Sequence, residues 1–194
     1  MHISEGVLSG SVLIAGWAGT VAGTALGLKR TDPAKIVRTA LLSSAFFLAS
    51  LVNVKIGPSS THLSLIAPMG LVLSYAVFPA VLVALMLQAL LFGFGGLLVL
   101  GVNTLVMAGS ALCVYALFGK RARAGSLVMS FLAGVCGVMF AALFAGLCLA
   151  VSDAGFMNAA KILVVAHVPV ALVEGAVTAF LVSWLKRAAP EFLS

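Results

Sequence analysis

Acidic residues are scarce in this 194-residue chain, with five Asp and Glu against eleven Lys and Arg. Charged residues make up only 8% of the sequence, hydrophobic ones 63%, and mean hydropathy is +1.25. A soluble domain carries roughly 25% charged residues, so the composition excludes a water-facing globular fold and indicates an integral membrane protein. The same shortage removes paired catalytic carboxylates from the apolar segments, where Glu174 is the one clear carboxylate. There is no GxxxxGK[ST] phosphate loop, which excludes ATP hydrolysis of the usual kind by this chain, and no HExxH pair to support a zinc hydrolase. Cysteine is limited to Cys113, Cys136 and Cys148, all inside apolar segments and without paired spacing. They read as small buried hydrophobes rather than disulfide partners or zinc ligands. The opening "MHISEGVLSG" also lacks the Lys or Arg that a signal peptide places ahead of its apolar run.

Long apolar runs fill the chain. With roughly 20 residues needed per spanning helix, seven spans are expected, at about 11–28, 34–52, 61–77, 79–93, 101–118, 125–150 and 159–185. Short connections separate them: "KRTDP", "VKIGPSST", "FP", "GFGG", "GKRARAG" and "SDAG". The third break rests on one proline, so residues 61–100 also admit one span plus a re-entrant segment. The fold expected is all-α and polytopic, a single transmembrane domain over 1–194.

The net charge of +6 follows membrane topology and does not call for nucleic acid. Lys29, Arg30, Lys35, Arg38, Lys120, Arg121, Arg123, Lys186 and Arg187 fall in loops that seven spans place on one side, leaving Lys55 and Lys161 on the other. Basic loops face the cytoplasm, so the N-terminus is expected outside and the C-terminus inside. This sorting collects His2, Glu5, the "GPSSTH" stretch ending at His62, "GFGG" at 93–96, Asn103 and Asp153 near the outer face. His167 and Glu174 lie within the last span.

Histidine at position two gives the terminus a specific chemistry. Methionine is normally trimmed only before a small residue, so Met1 is expected to remain. A primary amine, an amide nitrogen and the His2 imidazole then lie within a few bonds and can close fused chelate rings. Tetragonal nitrogen donors suit Ni(II) or Cu(II), and imidazole suits other late first-row ions. His62, expected at the outer start of the third span, is the candidate fourth donor; Ser59, Ser60 or Thr61 would cap that helix. Taken singly, each histidine also reads as structural. His167 and Glu174 are seven residues apart on one helix face, as a hydrogen-bonded structural pair or as support for the site.

Four stretches then carry a resemblance: "MHISEG", "GPSSTHLSL" at 57–65, "LQALLFGFGGLLVLGVNTLVM" at 87–107 and "AHVPVALVEGAVT" at 166–178. Together and in this order the chain resembles the cobalt/nickel substrate-binding subunit of energy-coupling-factor transporters. The resemblance implies a seven-helix protein, its N-terminus outside and inserted toward the bundle, that captures Co2+ or Ni2+ as cargo and holds no cofactor. It implies metal donors from Met1, His2 and His62, with Gln88, Asn103, His167 and Glu174 at supporting or lining positions. Implied partners are a transmembrane coupling subunit, cytoplasmic ATPase subunits that supply ATP hydrolysis, and in many members a small accessory membrane subunit. The setting would be a bacterial or archaeal cytoplasmic membrane. Leu97 and Leu98 replace the Thr-Thr common after the paired glycines, and Ser4-Glu5 replaces a common Pro-Asp.

The first span repeats small residues at four-residue spacing through Ala15, Gly19, Gly23 and Gly27. Small residues let another helix approach closely in lipid, either the chain's own or that of the coupling subunit. Two other classes compete with a capture subunit. An intramembrane metal-dependent enzyme would use His62, His167 and Glu174, and an autonomous ion-coupled carrier would need more intramembrane carboxylates than Glu174 provides.

Overall fold

The computed structural model describes residues 3–51, 53–56 and 59–193, with the 53–56 and 59–62 strands described by their backbone alone. Helices α1 (Gly10–Arg30) and α2 (Ile36–Leu51) are joined by a tight turn. Asp32 opens that turn, its carboxylate accepting from Ala34 N at 3.0 Å, and Pro33 supplies the fixed φ. Thr31 Oγ1 donates to Gly27 O at 2.7 Å, satisfying one of the carbonyls a helix end leaves open. Strands β1 (Asn53–Ile56) and β2 (Ser59–His62) form an antiparallel ribbon in which Asn53 faces His62. There follow α3 (Ile66–Leu73), α4 (Val77–Phe92), α5 (Leu100–Arg123), α6 (Leu127–Ser152), α7 (Met157–Ala166) and α8 (Val168–Ala188). Apart from the ribbon and short turns, the described architecture is helical.

Six helical runs among the described residues are long and apolar enough to cross a membrane. The expected spans at 61–77 and 79–93 fall in one of them, Ile66–Phe92, and the region departs from expectation in two ways. First, residues 59–62 are extended and the helix begins only at Ile66, so the N-cap position falls on Leu65 and not on Ser59, Ser60 or Thr61. Second, the chain turns at Ser74–Ala76, ahead of Phe78-Pro79, with Ser74 at φ 52° and ψ −122°. Pro79 sits in the first turn of α4, where its missing N–H costs no helical bond. The halves run in opposite senses. Helix α4 climbs beside α2, with Ser43 Oγ donating to Ala80 O at 2.7 Å and Gln88 Nε2 to Ser50 Oγ at 2.6 Å. Helix α3 descends from Glu174 of α8 toward the closing turn at Pro190–Leu193. Eight residues of helix rise only about 12 Å, under half of a roughly 30 Å hydrocarbon core.

Helix α5 is the centre of the bundle, packed by α1, α3, α4 and α6. The approach to α1 is close: a Cβ on Gly16 would lie 2.8 Å from Val102 Cα, and one on Gly101 would meet Trp17. The small-residue stripe continues this contact inward. A Cβ on Gly19 would meet Leu105, one on Gly23 the Phe78 ring, and one on Gly27 the Tyr75 carbonyl oxygen at 2.6 Å. Gly19, Gly23 and Gly27 therefore serve internal packing against α4, α5 and the Ser74–Ala76 turn. The expected last span, 159–185, is divided at His167, because Pro169 cannot donate the bond that would continue α7 into α8.

Large apolar side chains lie on the outside throughout, including Ile14, Val21, Leu91, Leu147 and Phe180. Inside are Asn103, Gln88, Glu174 and Thr20, each with a hydrogen-bond partner. An apolar exterior around a bundle that turns its polar side chains inward is what hydrocarbon solvent requires.

Candidate functional site

Residues 3–8 fold back into one end of the bundle, burying Ile3 and Leu8. The fastening is a pair of hydrogen bonds. Ile3 N donates to Asn103 Oδ1 at 3.0 Å, and Asn103 Nδ2 donates to Ile3 O at 3.0 Å. A carboxamide offers one acceptor and a donor pair on one planar group, so it clamps an extended main-chain residue at both its N–H and its C=O. Asn103 can do this because it lies one turn into α5 and is itself buried.

A second fastening lies two residues on. Glu5 N donates to Gly95 O at 3.2 Å, and Glu5 Oε1 accepts from Leu98 N at 2.9 Å. The glycine loop is built around this side chain: Gly96 has φ +113°, and a Cβ there would overlap the Glu5 carboxyl. The two departures from the family pattern, at Ser4-Glu5 and Leu97-Leu98, thus meet in one contact. Leu98 takes part through its backbone, its carbonyl also accepting from Trp17 Nε1 at 3.1 Å.

The approach to His62 is fastened from the other side of the molecule. Glu174 is buried on α8, and its Oε1 accepts from Ser64 N, from Ser64 Oγ at 2.9 Å and from Leu65 N at 3.3 Å. Both amides lie just ahead of Ile66, so the carboxylate fixes the chain where it enters α3 and lies near the positive end of that helix's dipole. The missing helical turn at 61–65 is explained by this contact: the chain is held in a carboxylate cap instead of winding further.

His167 has a different partner. Its Nδ1 lies 2.7 Å from Leu163 O, and a carbonyl only accepts, so Nδ1 carries the hydrogen and the neutral ring keeps its lone pair on Nε2. The expected hydrogen-bonded pair of His167 and Glu174 is not formed: each is committed elsewhere, one within its own helix break and the other to α3. Gln88 joins α4 to α2 through Ser50, and its Oε1 is buried without a partner among the described residues.

Met1 and His2 lie outside the described residues, and so does the side chain of His62. Among the described residues no three His, Cys, Asp or Glu come together as a metal cluster. The structure does place the neighbours of the candidate donors: Ile3 adjoins His2, and Ser64 follows His62 by two. Asn103 and Glu174 hold those neighbours by their main chain. The residues missed from sequence are Ile3, Ser64 and Leu65, because they take part through peptide groups that every residue type carries. The only signal was spacing, with polar groups at 103 and 174 left otherwise unexplained inside apolar helices.

Fold and site define a polytopic helical membrane protein that holds its own N-terminal segment within one end of the bundle. Residues 2–192 match the family described as the cobalt uptake substrate-specific transmembrane region, CbiM, and the chain belongs to that family. A putative metal transport protein of Haemophilus influenzae is 40% identical over the whole chain and 97% of its own length. The fused nickel transport protein NikMN of Rhodobacter capsulatus is 32% identical over the whole chain, which spans 64% of that protein. A solved structure described as a transition metal transporter superposes with a TM-score of 0.83 at 26% identity, covering 96% of this chain and 93% of its own.

Proposed function

We propose that this chain is the substrate-capture subunit of an energy-coupling-factor importer, a single transmembrane domain that takes up Co2+ or Ni2+ at its outer face. The donors are the Met1 amine, the amide nitrogen and imidazole of His2, and the imidazole of His62. Asn103 positions the first set by clamping Ile3, and Glu174 positions the last by capping Ser64 and Leu65. The observation that carries this reading is the Asn103–Ile3 clamp. The clamp fixes the inserted tail at Ile3 by both its peptide groups, directly beside the proposed donors, and a preorganised chelate needs such an anchor. The chain is non-catalytic in this reading. ATP hydrolysis comes from cytoplasmic ATPase subunits acting through a transmembrane coupling subunit, with a small accessory membrane subunit beside them, in a bacterial or archaeal cytoplasmic membrane. At equal geometry the Irving–Williams order favours nickel over cobalt.

The test is metal content of the purified protein carrying its native start and no leading tag. Inserting one alanine between Met1 and His2 keeps every side chain but alters the chelate rings and invites removal of Met1. That insertion, His2→Ala and His62→Ala should each sharply reduce bound metal, and His167→Ala should do less. Binding should weaken as pH falls, because protons compete for the amine and the imidazoles. If the insertion and His2→Ala both bind metal like the parent, the N-terminal chelate is wrong.

A further inference from the structure

The opposite, basic end of the bundle holds a cavity of about 350 Å³ between the α1–α2 turn, the α3–α4 turn and the second half of α5. Four cations line it (Arg30, Lys35, Arg38 and Arg123) against one carboxylate, Asp32, which is engaged in capping Ala34 N. Three of these cations are held by aromatic rings and neutral oxygens. Arg123 Nε donates to Leu71 O at 2.7 Å and its Nη2 to Ser74 Oγ at 3.3 Å. The Arg30 guanidinium lies 4.1 Å over the Tyr75 ring. Arg38 lies 4.8 Å over Phe192, and its Nη1 is buried with no hydrogen-bond partner among the described residues. A buried guanidinium N–H without an acceptor is costly, and an anionic oxygen in the cavity would satisfy it.

An apolar groove of about 290 Å³ adjoins this cavity and shares Thr31 and Thr39 with it. Leu28, Ile36, Ala40, Pro79 and Val83 line the groove along α1, α2 and α4. A cationic pocket opening onto an apolar track matches a ligand with a charged head and a hydrocarbon tail. Guanidinium groups suit phosphate oxygens, and basic pockets between transmembrane helices are known places for anionic headgroups.

We propose that this cavity binds the phosphate headgroup of an anionic phospholipid, with one acyl chain lying in the α1–α2–α4 groove. Free inorganic phosphate shares the headgroup chemistry but has nothing to place in the groove.

The experiment measures lipid retained by the purified full chain, by native mass spectrometry, after titration with phosphatidylglycerol or phosphatidylcholine in detergent. Phosphatidylglycerol should be retained preferentially. Arg38→Gln and, separately, the exposed Lys35→Gln should each weaken it by about fivefold, as for loss of one cation near a membrane surface. Arg187→Gln, which removes an equal charge outside the cavity, should leave retention unchanged. A parallel arm follows thermal unfolding of the detergent-solubilised parent with inorganic phosphate alone, which should give no shift. A phosphate shift lost in Arg38→Gln would overturn the lipid source and leave a free-phosphate site. Equal retention of the two lipids by the parent, or equal loss in Arg187→Gln and Arg38→Gln, would overturn the site itself.

Discussion

Asn103 and Glu174 do the same work at two places, turning a buried polar side chain into a fastener for main chain. Their substitutions should therefore act on metal binding without removing any donor. Asn103→Asp keeps an acceptor for Ile3 N but loses the donor to Ile3 O, and it adds a charge where none is paired. We expect metal affinity to fall about 10–100-fold, as when a group that orients a ligand is lost, with the metal stoichiometry at saturation unchanged. Glu174→Ala strips the partner from two peptide N–H groups and a hydroxyl, each costing about 1–3 kcal/mol if left buried and unpaired. Glu174→Gln retains an oxygen acceptor and should be milder in both thermal stability and metal content, measured on the same preparations. Equal effects of Gln and Ala would show that the carboxylate oxygen is not what holds Ser64. At this scale the sequence was legible as chemistry and not as geometry. Buried polar residues at 103 and 174 are conspicuous in an apolar chain, but their partners are peptide groups, which leave no trace in residue identity.

Element boundaries were legible where sequence punctuation is chemical and hidden where tertiary contacts override it. The expected span at 11–28 is found as Gly10–Arg30, and that at 125–150 as Leu127–Ser152, because Asp32-Pro33 and Ser126 mark their neighbouring turns locally. The late start of α3 goes instead with Glu174, more than a hundred residues away, which holds Ser64 and Leu65, and no local pattern encodes that. The break at His167 was legible in Pro169 but concealed by continuous hydrophobicity on both sides. Glycines of α1 give a graded test of the packing. At Gly19 an added Cβ meets the flexible end of Leu105 at 2.9 Å, whereas at Gly27 it meets the Tyr75 carbonyl oxygen at 2.6 Å. Gly19→Ala should be tolerated, and Gly27→Ala should cost about 1–3 kcal/mol as overpacking, read as a lower unfolding temperature in detergent. The reverse order would mean that α1 does not sit against the α3–α4 turn as described.

For the molecule as a whole, the clusters of positive charge converge on one end. Arg30 stacks on Tyr75, Tyr75 meets Tyr115 edge-on with centroids 6.3 Å apart, and Arg123 lies over Tyr115 while reaching Ser74. Lys186 donates to Ala124 O, bringing the end of α8 to the α5–α6 turn. The inserted tail, the glycine loop and Asp153 belong to the other end, since α1 and α5 begin there and α6 finishes there. Positive loops stay in the cytoplasm during insertion, so the tail-bearing end should face outward. The descending α3 and ascending α4 preserve this arrangement even though α3 is too short to cross alone. Cysteine labelling checks it in intact cells, after Cys113, Cys136 and Cys148 are replaced by alanine to remove the native thiols. Ala154→Cys and Lys55→Cys should react with a membrane-impermeant thiol reagent from outside, and Arg121→Cys only after permeabilisation. The α3–α4 reversal has its own arm: a cysteine replacing Ser74 should behave like Arg121→Cys, because Ser74 is bonded to Arg123 at the basic end. External labelling at Arg121→Cys would invert the topology, and protection at Ala154 and Lys55 alongside it would put the tail, with the metal donors proposed for it, on the cytoplasmic side.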